Sequence, residues 1–134
     1  NLQMNTTTKP LNQNKMTKYI IPIPIYNGTL HLVDCKDTKE ALMEIKGDDY
    51  SEDDDSEACL FWNHESKSAN WWLCIDLQDP KLGILVHELF HATHRILEYF
   101  GVEFTSKNHE PFAYLIEYLY NECIKIKLKK KQSV

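Results

Sequence analysis

No apolar run in this chain approaches the roughly 20 residues that a membrane span needs. The first residues, NLQMNTTTKPLNQNK, also lack the apolar core of a secretion signal. The chain starts at Asn1, which leaves Met4 and Met16 as candidate natural starts. Basic charge is not in excess: 15 Lys and Arg stand against 20 Asp and Glu, a formal net charge of -5. A protein that binds nucleic acid over its whole surface is normally basic, so neither nucleic acid nor membrane is expected as a partner. The four cysteines, Cys35, Cys59, Cys74 and Cys123, form no C-x-x-C pair, so the close spacing of a structural zinc knot is missing. They read as reduced, mostly buried thiols, and together with the missing signal they suggest a cytoplasmic protein. There is no internal repeat and no domain linker. The 134 residues suffice for one core and are too few for two.

What is present divides into an arm, a domain and a tail. Residues 1–16 read as a flexible N-terminal arm, 17–127 as a single domain and 128–134 as a basic, frayed C-terminal tail. KYIIPIPIYNGTLHLVD holds two apolar runs around Asn27-Gly28, a hairpin signal because both turn residues tolerate positive φ. Pro22 and Pro24 cannot donate to a ladder, which puts the first strand at a sheet edge. DTKEALMEIKG follows as a short helix with Asp37 as cap, Glu40 completing a capping box and Gly47 at the exit. The acidic stretch DDYSEDDDSE reads as a solvated loop, since it lacks the Gly and the acid spacing of a calcium loop. ACLFWN and NWWLCIDL fit an antiparallel strand pair joined by HESKSA. Asp79 and Pro80 open a long helix that Gly101 closes. A last helix starts near Glu110 and Pro111, with Phe112, Leu115, Ile116, Leu119 and Cys123 as its buried stripe. The expected fold class is α+β: a small, mainly antiparallel sheet packed on the histidine-bearing helix and a following C-terminal helix.

That helix carries VHELFHATHRILEYFG, with His87, Glu88 and His91 in the order H-E-x-x-H. Residues four apart lie on one helix face a turn apart, so His87 and His91 can reach the same tetrahedral Zn²⁺ ion. Glu88 lies about 100° round from His87, beside such an ion and not on it, within reach of a water as general base. Leu82, Leu85, Val86, Leu89, Phe90, Ile96 and Leu97 are expected on the opposite, buried face. A catalytic zinc needs a third protein ligand. His94 shares the face but lies about 10 Å along the axis from His87, so it reads as lining a cleft or as surface.

After His91 come 18 residues and then Glu110, in the segment EPFAY. H-E-x-x-H, 18 residues and Glu resembles the gluzincin metallopeptidases, and EPFAY is similar to the E-x-F-A segment of their aminopeptidase branch. The resemblance covers residues 71–120 and implies Glu110 as third ligand of one Zn²⁺ ion. At this length the chain resembles the small minigluzincins, and compact H-E-x-x-H proteins of phages and mobile elements, more than a full-length peptidase of that group; a phage origin would imply the host cytoplasm as its compartment. Thermolysin-type gluzincins carry an acid four residues after the third ligand; here that position is Tyr114, and Glu117 is a candidate substitute. His109 is the alternative third ligand, and a three-histidine site would be similar to SprT-like proteases.

The reaction implied is hydrolysis of a peptide bond in a protein or peptide substrate, with Glu88 moving the proton. Tyr114, His94, Arg95 and Tyr118 are candidates to stabilise the charge that develops. Asp76 is either a second-layer group or a turn residue. NWWLCID is a candidate edge strand for pairing an extended substrate, with Trp71 or Trp72 lining a pocket. Two other functions fit the same residues: a non-catalytic zinc-containing binding or assembly module, and a zinc hydrolase acting on a non-peptide amide. Oligomeric state has no signature in the sequence.

Overall fold

Two apolar runs either side of a turn make a hairpin, and its arms are β1 (Met16–Ile23) and β2 (Gly28–Cys35). The structure is a computed structural model, and it describes residues 16–47, 58–62 and 69–132. The N-terminal arm up to residue 15, the acidic loop 48–57 and most of the HESKSA turn lie outside the described residues. The turn is not centred on Asn27-Gly28 as expected. Ile23 pairs with Gly28, and residues 24–27 form the loop, with positive φ at Ile25 (74°) and Asn27 (51°). Gly28 sits in a tight place: a Cβ there would meet Ala69 O and Trp71 Cζ3 at 3.2 Å and Ile23 Cδ1 at 3.3 Å, so its neighbours would have to give by a few tenths of an ångström.

Helix α1 (Thr38–Lys46) follows, capped as its sequence implies. The Asp37 carboxylate accepts the Glu40 N–H at 3.1 Å, and Gly47 leaves the helix at φ 58°. Next come β3 (Ala58–Trp62) and β4 (Asn70–Ile75), then α2 (Leu82–Tyr99) and α3 (Glu110–Gln132). The strands form one mixed sheet in the order β1-β2-β4-β3. β1/β2 and β3/β4 are antiparallel, while β2 and β4 are parallel, with Leu32 opposite Leu73. β1, which carries Pro22, is an edge strand, and Pro24 follows it in the loop. β4 is interior, so the expectation that NWWLCID offers a free edge to substrate is corrected: β2 and β3 take both of its sides.

The period-two alternation of the central strands sorts their side chains to two cores. Leu30 and Leu32 of β2 and Trp71, Leu73 and Ile75 of β4 face α2 and α3, against Leu89, Ile96, Leu97, Leu119 and Cys123. Val33, Cys35 and Cys74 face α1, against Ala41 and Leu42. Cover on both faces explains why NWWLCI reads as a continuous apolar run. Each fully buried leucine contributes on the order of 1.5–3 kcal/mol. Cys35, Cys74 and Cys123 are buried, and burial pushes Cys35 up to about 11 and Cys123 up to about 12.

Three expectations about the helices change. Asp79 does not cap α2: its carboxylate accepts the Lys81 N–H at 2.8 Å, Leu82 N–H bonds Pro80 O at 2.9 Å, and the helix starts only at Leu82. Leu85, Leu89, Ile96 and Leu97 are buried, but Leu82, Val86 and Phe90 are 40%, 46% and 50% exposed. Leu82 and Val86 lie in the first two turns of the helix, and Phe90 lies on its flank toward the histidine face, so apolarity alone misplaced them. The lysine-rich end is no frayed tail from 128: it continues α3 through Gln132, and the Lys130 ammonium donates to the Asp34 carboxylate at 2.6 Å.

Gly101 (φ 80°) ends α2 as expected. Its N–H bonds Glu98 O at 3.0 Å and the Val102 N–H bonds Leu97 O at 2.8 Å, the paired closure that turns the chain back across the helix. α3 then packs alongside α2 through Phe112, Leu115, Leu119 and Cys123. No described helix is long and apolar enough to cross a membrane.

Candidate metal centre

Glycine-free from Ile84 to Phe100, α2 keeps a regular 3.6-residue turn through its histidines, so His87 and His91 stack one above the other. Their Nε2 atoms are 3.2 Å apart, and their rings meet edge to face with centroids 4.8 Å apart. The Glu88 carboxylate lies 3.7 Å from His87 Nε2. Donor atoms of the three residues all fall within 4.8 Å of one another, the one such group of three or more His, Cys, Asp or Glu among the described residues.

The spacing can be tested against a metal. Two imidazole nitrogens on one tetrahedral Zn²⁺, each about 2.0–2.1 Å from it, stand about 3.3 Å apart. The observed 3.2 Å fits that demand without a rotamer change. His87 and His91 are exposed, which leaves an ion open to solvent and substrate. The cluster can therefore hold a metal ion.

Glu88 differs from the two histidines in its surroundings. Its side chain is only 13% exposed, against 69% for His87. Burial pushes its carboxyl above the ordinary glutamate value, and His87, His91 and Arg95 pull part of the way back. A carboxylate held this way takes up a proton more readily than a solvated one.

The remaining residues singled out by sequence fall into three groups. Glu110 opens α3 as expected, but it is not part of the cluster: its side chain is 68% exposed, and its carboxylate lies 4.0 Å from His109 Nδ1. His109 is likewise outside the cluster. Tyr114, 68% exposed, and Glu117 are on the open side of α3, away from its buried stripe.

The second group is structural. Trp71 is no cleft residue: at 1% exposure it sits in the main core, edge-on to Tyr99 at 5.3 Å. Trp72 points to the other sheet face and stacks on His31 at 4.7 Å, in a layer where Asn70 Oδ1 bonds His31 Nε2 at 2.8 Å. Tyr118 donates its hydroxyl to Pro22 O at 2.7 Å, tying α3 to β1. The Asp76 carboxylate accepts the Gln78 N–H at 2.9 Å, which makes it the turn residue between β4 and α2.

His94 forms the third group. Its ring packs among Phe90, Phe104 and Phe112, at centroid distances of 4.7, 4.9 and 5.0 Å. Its Nε2 is buried and has no hydrogen-bond partner among the described residues. His94 lines a hollow, the cleft alternative of its expected reading, but the residues that wall the hollow with it were not singled out from the sequence. The angular position of Phe90, about 60° from His87 round the helix, was the available signal. Phe104 and Glu103, in the loop, had none. No family model, no curated protein and no solved structure matches this chain, so its chemistry rests on the arrangement of these residues.

Proposed function

We propose that this protein is a metal-dependent hydrolase that cleaves peptide bonds, with His87 and His91 holding the ion, zinc by its ligand chemistry, and Glu88 carrying the proton. The observation behind this reading is the Nε2 pair at 3.2 Å with a half-buried carboxylate 3.7 Å from it. An ion held there supplies Lewis acidity, polarising a carbonyl and making water a stronger acid. Glu88 takes the proton from the attacking water and returns it to the leaving amine, a role suited to a carboxyl raised by burial. Arg95 acts on Glu88 electrostatically, after His87 and His91, and is the group this reading assigns to the developing charge. In this reading Glu110 is the third ligand: it opens the helix that packs against α2, and its exposed side chain is not locked by packing. His109 is its alternate.

Zinc-loaded wild-type protein and a Glu88→Gln variant, incubated with a peptide library and read by mass spectrometry, test the reading. Wild type is expected to cleave, and Glu88→Gln to hold as much zinc and cleave nothing. A wild type that takes up no zinc, or a Glu88→Gln that still cleaves, overturns it. A second reading, a module that holds metal without turnover, draws on Glu110 lying outside the cluster. It expects zinc in both proteins and cleavage in neither.

A further inference from the structure

We infer that the hollow beside the histidine cluster receives a cationic side chain, arginine or lysine, of the polypeptide that the protein acts on. That the occupant belongs to a substrate rests on the hydrolase reading above; that it is cationic rests on the hollow alone. At about 100° per residue, His87, His91, His94 and Glu98 fall within about 60° of one another on α2. The face that carries the cluster therefore runs directly into the hollow. Phe90 bridges the two, its ring 6.2 Å from His91 and 4.7 Å from His94.

The hollow is open to solvent, with a volume of about 840 Å³ including its mouth. Its walls combine aromatic faces with negative charge. Phe104 and Phe112 meet edge to face at 4.9 Å and both pack on the His94 ring. Glu98 and Glu103 complete the lining, and no lysine or arginine lines it among the described residues. Aromatic rings attract a cation through their negative faces, and two carboxylates exclude an anion and leave a neutral apolar group without return for their desolvation.

The walls are also held in place. The two bonds around Gly101 fix the exit from α2, and Asn108 Nδ2 donates to Glu103 O at 3.0 Å, bracing the loop that carries Glu103 and Phe104. Phe104 is nevertheless 52% exposed and Phe90 50% exposed, aromatic area left to solvent at the mouth.

The test uses the full chain, zinc-loaded, as Glu88→Gln so that nothing is cleaved. Two hexapeptides, identical except for a central arginine or its neutral isostere citrulline, are titrated by calorimetry and followed by backbone amide shifts. The arginine peptide is expected to bind about tenfold tighter or more, with the largest shifts at Gly101 to Phe104. Adding Phe104→Ala, or Glu98→Gln with Glu103→Gln, is expected to bring that ratio below about three. These positions are exposed, so the fold survives the changes. Equal affinity for the two peptides, a ratio untouched by both variants, or shifts confined to other surfaces would each overturn the assignment. Wild type that cleaves with no preference for a basic residue overturns the pocket and leaves the hydrolase standing. Arginine-selective binding at the hollow in a protein that takes up no zinc does the reverse.

Discussion

Lys130 and Asp34, 96 residues apart, meet at 2.6 Å where the end of α3 crosses the sheet. Asp34 is 3% exposed, and its second carboxylate oxygen accepts the Leu77 N–H at 3.0 Å. One buried side chain thus joins β2, the turn after β4 and the last described turns of α3.

Removing the cation should cost more than a surface ion pair is worth. Breaking a fully buried pair costs about 3–5 kcal/mol because the remaining charge is stranded. The Lys130 side chain is 38% exposed, so water screens part of that. Lys130→Met is expected to lower the unfolding free energy in urea by about 2 kcal/mol. Asp34→Asn, which keeps an acceptor for Leu77, should lose less. Equal stability of Lys130→Met and wild type would show that the pair does not hold α3 down.

A ligand that binds only the folded state raises stability by about 2.7 kcal/mol at a hundredfold excess over its Kd. Zinc at that excess should therefore raise the melting temperature by several degrees, and a chelator should reverse it. His87→Ala and His91→Ala should each abolish the rise, because each removes half of the 3.2 Å nitrogen pair. Glu110→Ala should shrink it if Glu110 joins the ion. A rise that persists in both histidine variants would place the metal elsewhere.

Most elements that a local pattern can encode were legible in the sequence, the Asn27-Gly28 turn and the Asp79 cap excepted, and those that depend on distant partners were not. The Asp37 cap, the Gly47 and Gly101 exits, the buried stripe of α3 and the spacing of His87, Glu88 and His91 all lie within one helix turn of their cause. The parallel pairing of β2 with β4 joins residues about 40 apart, and no local pattern records it. Trp71 shows the same limit: an aromatic after a polar turn fits a cleft or a core equally, and only the packing of Tyr99 on it decides. Glu110 marks where a sequence spacing stops short of a geometry.

Glu88 should give the fold a pH dependence with a definite sign. Its folded value is raised above the ordinary 4.5, mainly by burial. Between 4.5 and that raised value the native state holds a proton that the unfolded chain has lost, so stability falls as pH rises. The stabilising contribution is complete below 4.5 and is lost as pH climbs through the folded value. Glu88→Gln, free of that charge, is expected to melt higher than wild type at pH 7 in metal-free protein, with the gap closing below pH 4.5. A gap that widened in acid would assign the shift to some other group.

The same substitution at the two ends of α2 should act with opposite signs. Gly83 lies in the first turn, and a Cβ there meets nothing within 4 Å. Gly83→Ala removes backbone freedom from the unfolded chain and is expected to stabilise by about 0.5 kcal/mol. Gly101 also has open space, but its φ of 80° is in the left-handed region. An alanine there is strained by about 1–2 kcal/mol, so Gly101→Ala should destabilise by about 1 kcal/mol. Because Val102 and Glu103 follow directly, the strain should also loosen the wall of the hollow. Urea midpoints measure the first effect, and amide exchange at Val102, whose N–H bonds Leu97 O at 2.8 Å, measures the second. Faster exchange at Val102 in Gly101→Ala, with Gly83→Ala unchanged there, would tie the hollow's shape to the helix exit. Unchanged exchange in both would mean that the loop holds its own shape through Asn108 and Glu103.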